Sequence, residues 1–141
     1  EQLHTEYLEI LKNKRILLAE DNDLNAEITE TLLEEQQLKV ERVGDGKECL
    51  RTLQEMPEEY YDMILMDIQM PVMNGYEAAK AIRQLPGKRG SIPVVALTAN
   101  AFEEDRKKAL DAGMNGHIAK PLNMEQLLLT MGEILSDCIF S

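Results

Sequence analysis

The sequence predicts an α/β domain, a doubly wound parallel sheet with helices on both faces, and three observations carry that reading. Five strand-like segments alternate strictly with helix-like ones along the chain, the pattern of a parallel sheet covered on both sides. Residues 16–19, 63–66 and 94–97 are unbroken apolar runs, as strands buried on both faces are. The strand-like segments also end on chemistry: Glu20 and Asp21, Asp67, Thr98 and Lys120.

The elements follow in order. Leu3, Tyr7, Ile10 and Leu11 share one helical face, so residues 1–13 read as an amphipathic helix or linker from an upstream region. The run 16–19 is stopped by Glu20-Asp21-Asn22-Asp23, with Asp23 as the expected N-cap of a helix whose stripe is Leu24, Ile28 and Leu32. Residues 38–43 alternate as a shorter, less buried strand that ends in the turn Gly44-Asp45-Gly46. Cys49, Leu50, Leu53 and Met56 make the next helical stripe, stopped before Pro57.

The third strand runs through Met63 to Met66, ends on Asp67 and breaks at Pro71 and Gly75. Asn74 is the expected cap of a helix carrying Tyr76, Ala79, Ile82 and Leu85. Residues 94–97 form the fourth strand, and 102–112 its helix. Residues 116–119 form the fifth, and the last helix, capped by Asn123, turns Met124, Leu127, Leu128, Met131, Ile134 and Leu135 inward. The methionines at 63, 66, 70 and 73 are expected to pack in the core and loop.

With 141 residues and 44% hydrophobic content, the chain suits one core. A formal net charge of −11 disfavours direct contact with nucleic acid or an anionic membrane. Cys49 and Cys138 lie in no metal or redox spacing, which points to a reducing cytoplasmic setting, with Cys49 as a small core residue. No apolar run approaches the roughly 18 residues of a spanning helix. The opening residue is Glu1, not Met, so a piece of a longer protein is expected.

In an open parallel sheet, ligands gather outside the carboxyl ends of the strands. Topology alone therefore brings Glu20, Asp21, Asp67, Thr98 and Lys120 to one edge. Each residue by itself reads as a turn, a cap or a solvated charge; together they make a site. Three close carboxylates repel unless a hard cation relieves them, and Mg²⁺ suits such oxygen ligands. With a divalent ion and Lys120, the formal charges cancel. A phosphoryl group on Asp67 would add negative oxygens, for which Lys120 and the Thr98 hydroxyl are donors in place. Such transfer needs mainly positioning and charge stabilisation.

These residues, with the run Asp67-Ile68-Gln69-Met70-Pro71-Val72-Met73-Asn74-Gly75 and the run Leu97-Thr98-Ala99-Asn100-Ala101, resemble the receiver domain of two-component response regulators, most of all receivers fused to hybrid sensor histidine kinases. The likeness covers roughly residues 14–136, leaving 137–141 as a tail. It implies the flavodoxin-like (βα)5 fold with strand order 2-1-3-4-5. It also implies Asp67 as phosphoacceptor, with Lys120 and Thr98 assisting. Mg²⁺, or Mn²⁺ in its place, is implied on Asp21, Asp67 and the Gln69 backbone carbonyl, with Glu20 acting through water. Thr98 and His117 stand at the switch positions, Gln69 and Asn100 at those that tune phosphoryl lifetime, and Pro121 follows what is usually a cis peptide.

This chain departs from the family pattern twice. Its acidic pair is Glu-Asp where Asp-Asp is usual, and His117 stands where Tyr or Phe is usual. The implied partners are a histidine kinase catalytic and dimerisation domain as donor and a histidine phosphotransfer domain as acceptor. The domain is expected to catalyse its own phosphorylation and dephosphorylation without being a turnover enzyme, in a parent histidine kinase anchored in the inner membrane. A stand-alone response regulator is the nearest alternative. A haloacid-dehalogenase-type phosphohydrolase is the rival from another class, but it expects a second Asp two residues past the nucleophile, where Gln69 stands.

Overall fold

The computed structural model describes residues 2–99, 102–120 and 122–140. Asn100 and Pro121 lie outside the described residues, and with them the expected lifetime-tuning amide and cis peptide. In chain order the elements are α1 (Gln2–Leu11), β1 (Arg15–Ala19), α2 (Asp23–Glu35), β2 (Lys39–Val43), α3 (Gly46–Glu55), β3 (Met63–Asp67) and α4 (Gly75–Arg83). A 3₁₀ turn, Gly87–Ser91, then leads to β4 (Val94–Thr98), α5 (Glu103–Asp111), β5 (Gly116–Ala119) and α6 (Met124–Phe140). The strands form one parallel sheet in the order β2-β1-β3-β4-β5, the expected doubly wound fold. Residues 137–140, set apart above as a tail, continue α6.

Alternation within the apolar runs divides the core between the two sheet faces. Leu17, Ala19, Ile64, Met66, Val94 and Ala96 pack with residues of α3 and α4. Their neighbours in sequence, Ile16, Leu18, Met63, Leu65, Val95 and Leu97, pack with α2, α6 and Leu11 of α1. An unbroken apolar run is thus what a strand covered on both faces requires.

Two expectations at α2 are corrected. Its N-cap is Asn22, whose Oδ1 accepts from the Asn25 N–H at 2.9 Å, and Asp23 opens the helix one residue later. Its inner stripe is Ala26, Thr29 and Leu33, while Leu24 and Ile28 are 65% and 48% exposed. Small side chains let this helix face pack closely, and the Thr29 hydroxyl donates to Asn25 O at 2.9 Å, so it enters the core with its hydrogen bond made. The other caps fall where expected: Asn74 forms a capping box with Glu77, and Asn123 accepts from the Gln126 N–H.

The amphipathic helix expected at the N-terminus forms and packs against α6. Leu11 is fully buried. A Cβ on Gly132, inside α6, would stand 2.5 Å from Tyr7 Cγ. A mid-helix glycine ordinarily costs about 0.5–1 kcal/mol against alanine; here it makes room for the aromatic ring.

Candidate functional site

The carboxyl ends of β1, β3, β4 and β5 meet at one edge of the sheet. Between them lies a cleft of about 280 Å³ lined by Glu20, Asp21, Asn25, Asp67, Gln69 and Lys120, among others. Asp67 ends β3 and is 6% exposed. The backbone that leaves it is held by two hydrogen bonds. The next residue, Ile68, donates its N–H to Leu97 O at 3.2 Å, and Gly75 donates to Ile68 O at 2.9 Å. A Cβ at Gly75 would meet Asp67 O at 2.6 Å, so only glycine lets α4 begin this close to β3.

Glu20, Asp21 and Asp67 each bring a carboxylate oxygen into a set lying within 4.8 Å of one another. Burial, and then the Asp67 side chain, push the Glu20 carboxyl above its ordinary value. Lys120 answers this charge: its ammonium is 3.1 Å from Glu20 Oε1 and 3.3 Å from Asp67 Oδ2. Burial works to lower the Lys120 pKa, but the Glu20 hydrogen bond and the two carboxylate charges outweigh it and hold it up. Three hard oxygen donors, two of them buried and one exposed to solvent, fit a hard divalent cation that keeps part of its water shell.

Thr98 is buried at the end of β4, and its carbonyl accepts from the Lys120 N–H at 2.7 Å. His117 pairs with Ala96, two residues before Thr98, so both lie on the same side of the sheet; it is half-buried. The Gln69 N–H donates to Asp67 Oδ1 at 3.2 Å. Glu20, Asp21, Asp67, Gln69 and Lys120 line the cleft, Thr98 ends the neighbouring strand, and His117 lies inside β5, two residues short of its carboxyl end. Arg42, on β2, was not foreseen. Its Nε donates to Glu20 O at 2.9 Å and its Nη1 to Asp23 Oδ1 at 2.7 Å.

A family profile described as the response regulator receiver domain matches residues 16–131. The chain belongs to the receiver domain family. This receiver is 38% identical over 117 residues to hybrid signal transduction histidine kinase I of Dictyostelium discoideum, covering 81% of this chain and 7% of that protein. It spans between 7% and 15% of the length of the first curated histidine kinases it matches. Among solved structures, the receiver domain of a sensor histidine kinase from Pseudomonas aeruginosa PAO1 superposes with a TM-score of 0.75 at 38% identity, over 92% of this chain and 99% of that one. That structure has a magnesium ion coordinated in its active-site cleft. The Saccharomyces cerevisiae Ssk1 receiver, solved with the histidine phosphotransfer protein Ypd1, superposes at 0.74 and 30% identity, over 83% and 85% of the two chains. Among the described residues, no helix is long and apolar enough to cross a membrane.

Proposed function

We propose that this receiver accepts a phosphoryl group on Asp67 and passes it on within a two-component phosphorelay, as part of a hybrid sensor histidine kinase. The observation that carries the reading is the meeting of Asp67, two further carboxylates and the Lys120 ammonium at one sheet edge. A carboxylate oxygen of Asp67 attacks the phosphorus of a phosphohistidine. The new P–O bond forms as the P–N bond breaks, and the imidazole nitrogen keeps the electron pair and takes a proton from solvent. Asp67 is held ready by the Gln69 N–H on its other oxygen.

Asp21, Asp67 and the Gln69 carbonyl would hold Mg²⁺, or Mn²⁺, with Glu20 contributing through water. Bound there, the ion offsets charge on the phosphoryl oxygens. Lys120 already contacts both buried carboxylates, so it can turn from them to the phosphoryl group without crossing the cleft. The Thr98 hydroxyl is the second donor, and its movement is read out through His117 on the neighbouring strand. Gln69 and Asn100 set the lifetime of the product.

A protein partner is favoured by the rim of the cleft. Leu24, Ile28, Val72 and Phe102 are all large apolar side chains at least 48% exposed, and they follow strands β1, β3 and β4, in a loop or in the first two turns of α2. A histidine kinase domain as donor and a histidine phosphotransfer domain as acceptor fit such a rim; the strongly acidic surface suits neither nucleic acid nor an anionic membrane. The domain works on the cytoplasmic side of a membrane-anchored kinase and does not turn over free substrates.

The test is incubation with a small phosphodonor and Mg²⁺, followed by intact mass. The unaltered chain gains one phosphoryl group and Asp67→Asn gains none. Equal labelling of both, or of neither, sinks the proposal. A chase with a histidine phosphotransfer domain then checks the onward step.

A further inference from the structure

We infer that Arg42 is a positioning residue for the metal site, acting through the backbone that carries Asp21. This rests on the reading of the cleft given above. The carbonyl of Glu20 and the N–H of Asp21 belong to one rigid peptide plane. The Glu20 N–H is fixed by Val43 O at 3.0 Å. The Glu20 carbonyl is fixed by Arg42 Nε at 2.9 Å. Two neighbouring residues of β2 thus grip both ends of Glu20, and the second grip sets the tilt of the plane from which Asp21 projects. Asp21 itself is exposed. Its aim toward the cleft therefore depends on its backbone.

The guanidinium suits this work because its donors are rigidly spaced. While Nε holds the carbonyl, Nη1 holds Asp23 Oδ1 at 2.7 Å, the first residue of α2. One planar group thereby spans the whole turn from strand to helix, with the ligand between its two anchor points. The Asp23 contact is 93% exposed on the carboxylate side, so it orients more than it stabilises. Lysine could keep the charge but could not hold both acceptors in a plane.

Charge and geometry predict opposite signs. Removing a cation beside three carboxylates should, by charge alone, tighten Mg²⁺ binding. Loosening the plane that aims Asp21 should weaken it. The experiment is calorimetric titration of Mg²⁺ into the unaltered chain, Arg42→Ala, Arg42→Lys and Asp23→Asn, with melting in EDTA to confirm folding. Arg42→Ala is expected to bind Mg²⁺ about tenfold more weakly, the lower end for loss of a group supporting a ligand. Arg42→Lys is expected to recover less than half of that loss on a logarithmic scale, and the Mg²⁺ needed for half-maximal phosphorylation rises in parallel.

Affinity that is unchanged or tighter in Arg42→Ala overturns the inference, as does full recovery in Arg42→Lys. If Arg42→Ala does not fold, the lysine variant carries the test alone, and wild-type affinity there overturns it. Asp23→Asn keeps the carbonyl grip and should stay within threefold of the unaltered chain; a tenfold loss there would move the role from the carbonyl grip to the ion pair. Failure of the unaltered chain to bind Mg²⁺ would instead sink the reading of the cleft, and this inference with it.

Discussion

Lys120 Nζ lies 3.1 Å from Glu20 Oε1, joining the ends of β5 and β1 across the two strands between them. Those strand ends are three spacings apart, about 14 Å, and long side chains close the distance over the cleft. Lys120→Met should leave three carboxylates facing one another, lowering metal-free stability by about 3 kcal/mol, because the Glu20 and Asp67 carboxylates left behind are 1% and 8% exposed. Mg²⁺ should bind the variant more tightly and restore that loss, while phosphorylation slows about a hundredfold. Urea unfolding with and without Mg²⁺, beside the mass assay, checks all three.

The acidic pair gives a pH dependence with a definite sign. Burial and Asp67 raise the Glu20 carboxyl in the folded state, so the folded chain binds more protons than the unfolded one between the two values. Its contribution is fully present below the ordinary carboxylate value of 4.5 and is lost as pH rises through the raised one. Glu20→Gln should therefore melt a few degrees higher than the unaltered chain at pH 7.5 in EDTA. The advantage should vanish near the ordinary carboxylate value and reverse when Mg²⁺ is added. A melting series over pH decides it; a gain that persists in acid would refute it.

Cys49 is fully buried, and burial, then the charges of Asp45 and Glu48, push its thiol up to about 12. At pH 8 only about one molecule in ten thousand carries the thiolate. Alkylation mapped by peptide mass should leave position 49 unmodified in the native chain and modify it in denaturant. Rapid native labelling would show that α3 opens.

How much could be read beforehand varied with the kind of interaction. The strand ends were legible because an apolar run that stops on a charge names both the strand and its carboxyl end, as at Glu20 and Asp67. The face of α2 was not, because Leu24-Ile28-Leu32 and Ala26-Thr29-Leu33 are both helical stripes. The larger residues make the stronger pattern, yet the smaller ones fit against the sheet. Leu24 and Ile28 are left facing solvent. Arg42 was hidden for another reason: its partner is a backbone carbonyl, which leaves no trace in residue type. Asn22 and Asp23 are equally good caps, and only the geometry chose between them.

The contact of Tyr7 with Gly132 predicts how α1 can be released. Gly132→Val places side-chain atoms inside the ring, where a Cβ alone would lie 2.5 Å from Cγ and 2.7 Å from Cβ of Tyr7. Overpacking of this kind costs about 1–3 kcal/mol. Amide exchange in residues 6–11 should accelerate while the phosphorylation rate stays within twofold, since neither residue lies in the cleft. Unchanged exchange would mean that the helices part at no cost.

Gly75 divides this chain into what can vary and what cannot. Any other residue there brings a carbon to within 2.6 Å of Asp67 O, so a change of one methyl group would be felt at the backbone of Asp67. Leu24, Ile28, Val72 and Phe102 carry no such restraint, standing 48–77% exposed. Selection, natural or in the laboratory, can therefore rewrite the apolar surface that the domain presents while leaving untouched the backbone that carries Asp67.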